Sequence, residues 1–253
     1  SSGRLSSAEI GVKALLSDRK VNSYAIIKSL TDLNNQRKEI QKKTLYEADL
    51  VLNSSKKSII VFSEKWHKGI VGIIASNLVD KYNKPSIVLT QEKNNLVGSV
   101  RTAKGINILE ILDKCSVFLT KYGGHKSAAG LSLTTKNLNK FKDLFEEEVG
   151  KVSNELTKDK QITIDLVLSI DEINDVLYRT IMRFAPFGLG NEAPVFCTNE
   201  INNFKLSLVG KNNIHLKGIV IGKSKSFEFI GFNLGHKYDD LCKSNAIDIC
   251  YTI

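Results

Sequence analysis

Apolar positions recur near helical spacing between residues 22 and 53. Leu30, Leu33, Ile40, Leu45, Ala48 and Leu52 mark one side, while Arg37, Lys38, Lys42 and Lys43 fill the others. The run holds neither proline nor glycine, and a helix of that length reads as a connector between domains. A short helix over residues 6–17, capped by Ser6 or Ser7, precedes it.

After the polar break SSKK the period changes. KSIIVFS (57–63) reads as a buried strand, WHKG (66–69) as a turn, and IVGIIASNLVDKY (70–82) as an amphipathic helix stopped at Lys84-Pro85. SIVLTQE (86–92) and LVGSVRT (96–102) flank a hairpin connection, and INILEILDKCSVFLTKY (106–122) reads as a second helix. YGGH then forms a turn, AAGLSLT a strand, and residues 136–158 a third helix. Strands alternating with helices predict an α/β (α+β) domain.

From Gln161 the texture becomes β-rich. ITIDLVLSI reads as a strand, and DEINDVLYRTIMRFAP as a helix capped by Asp171. FGLGNEAPVF is a Gly/Pro-rich turn. Four short strand-like runs follow, NFKLSLVG, IHLKGIVIG, FEFIGFNLG and AIDICYTI, which predict a small, mostly β barrel. The expected domains are 1–55, 56–157 and 158–253.

Composition narrows this picture. Of 253 residues, 42% are hydrophobic and 25% charged, which suits a soluble globular chain. No apolar run reaches about 18 residues, so no membrane span is expected. The start, SSGRLSSAEIG, lacks the basic and apolar regions of a signal peptide and reads as the beginning of a fragment. Cys115, Cys197, Cys242 and Cys250 are scattered, which makes reduced thiols in a cytoplasm the expectation. Residues 1–134 carry 21 Lys+Arg against 11 Asp+Glu, and residues 135–253 carry 15 against 16. An anionic partner such as nucleic acid would therefore dock mainly on the first half.

Three motifs could meet such a partner. In GSVRT, alternation puts Ser99 and Arg101 on one strand face beside Gly98, either as an anion clamp or as ordinary solvated residues. Gly123-Gly124-His125 is either a helix C-cap with a bystander imidazole or a set of backbone and ring donors for a phosphate. Trp66-His67-Lys68-Gly69 opens a helix, so Lys68 and free N–H groups would suit a phosphate; the alternative is a turn plugged by Trp66. Behind it Gly69, Gly72, Ala75 and Ser76 make a thin packing face. GxxxxGK[ST], HExxH and GxSxG are absent, the histidines (His67, His125, His215, His236) lack metal-ligand spacing, and Glu146-Glu147-Glu148 reads as a solvated helix face.

Taken together, GRLSSA, WHKGIVGIIASNL, KPSIVL, GSVRT, YGGHKSAAGLSL and PFGLGNEAPVF stand in the order and spacing of the RecJ family of single-stranded-DNA exonucleases, in the DHH superfamily. The resemblance implies the end of a DHH domain and a long connector helix, then a DHH-associated domain, then an OB-fold barrel. It implies that Gly98, Ser99 and Arg101 grip a 5′ phosphate, that Gly123, Gly124 and His125 close on the scissile region, and that Arg4 faces the same cleft. No Asp-His-His motif is present, so no metal ligand is assigned here and Mn2+ or Mg2+ is expected in a DHH domain outside the chain. It further implies 5′→3′ exonuclease action on single-stranded DNA in repair and recombination by a cytoplasmic monomer, with a single-strand-binding protein or helicase as partner, and no cleavage by this piece alone. Lys205, Lys211, Lys217, Lys223 and Lys225, with Phe227, Phe229 and Phe232, are the barrel's candidates for strand contact. The alternatives are another DHH-superfamily phosphodiesterase, acting on short oligonucleotides or cyclic dinucleotides, and a non-catalytic nucleic-acid-binding relative.

Overall fold

The computed structural model describes residues 2–16, 20–102, 105–152, 162–188 and 190–253. Two compact units divide the chain, Ser1–Asp159 and Lys160–Ile253.

The first unit opens with α1 (Ser2–Leu5), α2 (Glu9–Leu15) and the long α3 (Lys20–Val51). The cap expected from Ser6 or Ser7 is displaced: Ala8 takes the N-cap position of α2, and the Ser7 hydroxyl accepts from the Glu9 N–H at 3.2 Å. β1 (Ile59–Phe62), α4 (Val71–Tyr82), β2 (Ser86–Glu92) and β3 (Asn95–Arg101) follow. α4 ends at Asn83, whose φ of 52° closes the last turn before Lys84-Pro85. α3 docks on α4 through buried Ala48 and a polar strip, with the Gln41 amide donating to Asn77 (3.0 Å) and Lys81 paired with Asp49 (2.8 Å).

The predicted helix over 106–122 is shorter than its apolar pattern suggests. α5 covers only Ile108–Lys114, capped by Asn107, and a single 3-10 turn (Ser116–Phe118) follows. Lys121–His125 is then a strand, β4, which pairs with β5 (Ala128–Thr134). The Gly-Gly pair therefore caps no helix: it lies on a sheet edge, and the turn falls at residues 126–127. α6 (Leu138–Val152) closes the unit; residues 153–158 of the expected third helix lie outside the described residues. Glu146 and Glu148 are not a solvated face. Glu146 accepts from the N–H groups of Lys57 and Ser58, and Glu148 is buried against Lys114 and Lys151.

The sheet order is β1-β2-β3-β5-β4, parallel at β1–β2 and antiparallel elsewhere. Alternation splits its side chains between two cores. Ile87, Leu89, Leu96, Val100, Ala129, Leu131 and Leu133 pack with α5, Phe141 and Phe145, while Ile59, Val61 and Val88 pack with Trp66, Ile74 and Leu78. Because β2 is covered on both faces, its first five residues are all buried.

In the second unit the strand expected over 162–170 contracts to β6 (Leu166–Val167). Asp171 caps no helix. It lies in a 3-10 turn (Ile170–Glu172) begun by Ser169, and α7 (Asp175–Met182) is capped by Asn174. β7 (Phe196–Ile201), β8 (Phe204–Val209), β9 (His215–Ile221), β10 (Ser226–Gly231), α8 (Tyr238–Cys242) and β11 (Ile247–Tyr251) complete it. Among the described residues the strands form two three-stranded sheets, β10-β9-β8 and β11-β7-β6, around Ile170, Ile173, Ile201, Val220 and Ile247, with no ladder closing them into one barrel.

Asp171 instead fixes the β9–β10 turn, accepting from the Lys223 N–H (3.0 Å) and from the Ser224 N–H and hydroxyl (2.9 and 2.8 Å). Those bonds, led by the Ser224 amide, pull its pKa from 3.8 to about 2. A carboxyl depressed on folding stabilises above its unfolded pKa, and that contribution fades as pH falls from about 3.8 to about 2. Asp171→Asn is expected to lower Tm at pH 7 and to converge with the parent below about pH 2, read by circular dichroism melts across pH.

Candidate nucleic-acid interface

The site is built where β3 ends beside the first turn of α4. Val100 points into the core, so Ser99 and Arg101 share the opposite face. The Arg101 guanidinium donates from Nη1 to the Ser99 hydroxyl (2.7 Å) and to the Val100 carbonyl (2.7 Å). Gly72 lies against the pair: a Cβ there would stand 3.1 Å from both Arg101 Nη2 and Ser99 Oγ. One turn earlier, a Cβ on Gly69 would stand 1.9 Å from the Arg4 carbonyl oxygen, and Arg4 Nη1 donates to the Gly69 carbonyl at 3.1 Å.

Two guanidinium groups thus flank the thin end of α4. Burial lowers the pKa of Arg101, and repulsion from Arg4 adds to this; arginine nonetheless stays charged in any physiological range. Among the described residues no carboxylate pairs with either group. Two like charges near one another favour an anion between them, and guanidinium N–H groups are donors that a phosphate can take in pairs.

Strand register brings the second motif alongside. Ser99 pairs with Gly130 and Gly130 with Gly123; Val100 pairs with Ala129 and Ala129 with Gly124; Arg101 pairs with Ala128 and Ala128 with His125. His125 therefore stands two strands from Arg101, about 10 Å across the sheet on the same face. The connecting turn is tied down by Ile108 N–H to the Lys126 carbonyl (2.8 Å) and Thr102 N–H to the Ser127 carbonyl (3.2 Å).

The motif glycines divide by role. A Cβ on Gly98 would meet the Val88 carbonyl oxygen at 2.4 Å, and one on Gly124, whose φ is 154°, would meet the Ala128 carbonyl oxygen at 2.3 Å. Both are required by backbone packing. Gly123 has open space where its Cβ would be.

Lys68 is not part of the cluster. Its ammonium is paired with Glu92, at the far end of the β2–β3 hairpin from Arg101. Trp66 is the plug of its turn: buried, with its indole N–H donating to Glu47 (2.8 Å) and its carbonyl accepting from the Thr90 hydroxyl (2.6 Å). The small residues around the start of α4 read as packing alone, but two of them, Gly69 in the preceding turn and Gly72 in the helix, lie against the arginines. Their three-residue spacing was visible; the residues they approach were not.

In the second unit, Phe227 and Phe229 pack against the interior cluster, while Phe232 is 70% exposed with an edge contact to His215. Part of the lysine patch is already engaged, Lys217 with Glu228 (2.9 Å) and Lys225 with the Asp171 and Ile173 carbonyls. Among the described residues no group of three His, Cys, Asp or Glu side chains could hold a metal ion.

Residues 55–175 match the DHHA1 domain and residues 164–253 the RecJ OB domain. The RecJ protein of Bacillus subtilis is 28% identical over 98% of the chain, and that of Haemophilus influenzae 27% over 96%. Over this DHHA1–OB portion the chain is homologous to the RecJ proteins. It spans 32% of the length of the first relative and 45% of the second; both are described as single-stranded-DNA-specific exonucleases. The crystal structure of Thermus thermophilus RecJ in complex with Mn2+ shares its fold, with a TM-score of 0.79 at 22% identity, covering 100% of this chain and 36% of that one. A second crystal structure, of exonuclease RecJ bound to manganese, gives a TM-score of 0.55 at 27% identity, covering 59% of this chain and 38% of that one.

Proposed function

We propose that this chain is the strand-gripping portion of a 5′→3′ exonuclease acting on single-stranded DNA. Ser99, Arg101 and Arg4 hold the 5′ phosphate, and His125, set by Gly123 and Gly124, faces the phosphodiester to be cut. The observation that carries the reading is the pair of guanidinium groups, seated on Gly69 and Gly72, that has no carboxylate partner among the described residues. Fixed donors at a phosphate orient the strand and stabilise charge that grows there as the bond breaks.

In this reading Mn2+ or Mg2+ belongs to a DHH domain outside the chain, in keeping with the Mg2+ and Mn2+ complexes of the Thermus protein. Residues 1–55 are the end of that domain and the connector, 56–157 the gripping domain, and 158–253 a guide for the strand. The working enzyme would be a cytoplasmic monomer of DNA repair and recombination, cooperating with a single-strand-binding protein or helicase.

The test is binding of a fluorescent oligonucleotide carrying a 5′ phosphate or a 5′ hydroxyl. The chain should prefer the phosphorylated strand by about tenfold or more, a hydrogen bond to a charged group being worth about 1.5–3 kcal/mol. It should release no nucleotide with Mn2+ present. Equal affinity for both strands would sink the phosphate assignment, and cleavage that survives repurification would sink the division of labour.

A further inference from the structure

Gly130 is a glycine that the fold does not ask for. It lies inside β5, between Ser99 on β3 and Gly123 on β4. Its φ is not in the left-handed region, and the nearest atom to a Cβ built there is the Gly98 carbonyl oxygen at 3.8 Å, an ordinary contact. Gly98 and Gly124 differ in this respect, since a Cβ on either would strike backbone. A glycine inside a strand weakens it, because it has no side chain to pack and loses more freedom on folding. A β-branched residue would suit the position better on local grounds alone.

The surroundings give a reason for the missing side chain. Gly130 is exposed, on the same face as Ser99 and Arg101 on one side and Gly123 and His125 on the other. α4 covers this face over β2 and β3, whereas α5 packs on the opposite face with Ala129 and Leu131. Gly130 leaves bare backbone between Ser99 on β3 and Gly123 on β4, and only the methyl of Ala128 stands in the neighbouring row between Arg101 and His125, a shallow floor about 10 Å wide.

We propose that Gly130 is a specificity-determining residue of this interface: its lack of a side chain admits the sugar-phosphate of the first nucleotides of a single strand across β5, between Ser99 and Gly123 and beside Arg101 and His125. The inference rests on the phosphate grip proposed above and adds what lies beyond the gripped phosphate. Any side chain at 130 would rise into that path, while the clamp at Ser99, Arg101 and Arg4 would still take a free anion.

The experiment compares the parent with Gly130→Ala, Gly130→Val and Arg101→Ala. The readouts are Tm, inorganic phosphate binding by NMR titration, and affinity for a 5′-phosphorylated oligonucleotide. Gly130→Val should melt at or above the parental Tm and still bind inorganic phosphate. Its affinity for the strand should fall tenfold or more, with Gly130→Ala intermediate; Arg101→Ala should bind both ligands about tenfold or more weakly. A Gly130→Val chain that unfolds overturns the proposal, because the glycine would then be structural. One that binds the strand like the parent, while Arg101→Ala is impaired, overturns the proposal but leaves the grip standing. An Arg101→Ala chain that binds both ligands like the parent overturns the grip itself.

Discussion

Arg101→Ala should weaken binding of a 5′-phosphorylated strand by about tenfold to a hundredfold, while binding of a 5′-hydroxyl strand changes much less. The figure follows from the value of a charge-assisted hydrogen bond, about 1.5–3 kcal/mol for each donor to an ionised group. Part of the guanidinium is already committed to Ser99 and the Val100 carbonyl, which holds the rest in place. Arg101→Lys should recover only part of the preference, since an ammonium supplies the charge without the paired donors. Fluorescence anisotropy at several salt concentrations checks both points. A single-strand complex loses affinity with a logarithmic slope of about −0.7 per phosphate neutralised, so removing one contact should flatten the slope by roughly that amount. Equal losses on both strands would move Arg101 from the terminal phosphate to an internal one.

Gly124→Ala should be the more damaging of the two changes available in Gly123-Gly124, and damaging to the fold. Its φ of 154° is a conformation side chains rarely adopt, and the new Cβ would lie 2.3 Å from the Ala128 carbonyl oxygen and 2.5 Å from the Ala129 Cα. Backbone strain of this kind costs about 1–3 kcal/mol, or about 3–10 °C in Tm for a domain of this size. Gly123→Ala, with open space at that point, should melt close to the parent. Calorimetry or thermal melts of the two variants side by side decide the matter. If Gly123→Ala is the more destabilised, the pairing of β4 with β5 is out of register by one residue.

Much of this arrangement was legible in the residues. The alternation in GSVR put Ser99 and Arg101 together because a strand's side chains alternate whatever surrounds it, and the long apolar spacing of α3 needed only its own period. The Gly-Gly-His segment was harder. Apolar residues from Ile106 to Tyr122 fit a helix, and only the pairing of Lys121–His125 with a distant strand makes that stretch extended. Such pairing is a tertiary fact with no local signature. Asp171 misled for a related reason: an acidic residue ahead of a helical run resembles a cap, yet its acceptors are taken by a turn more than fifty residues away. Gly130 was invisible for another reason, since a glycine that the backbone needs and one that a ligand needs read alike in sequence.

The contact between Gly69 and Arg4 carries one more consequence. The backbone of residue 4 lies so close to Gly69, in the turn ahead of α4, that no side chain fits between them, and the Arg4 guanidinium returns to the Gly69 carbonyl. The N-terminal segment and the proposed anion site are thus joined through this one contact. Whatever engages Arg4 adds its binding energy to the closed contact, and whatever lifts the segment withdraws Arg4 from the anion by the same amount.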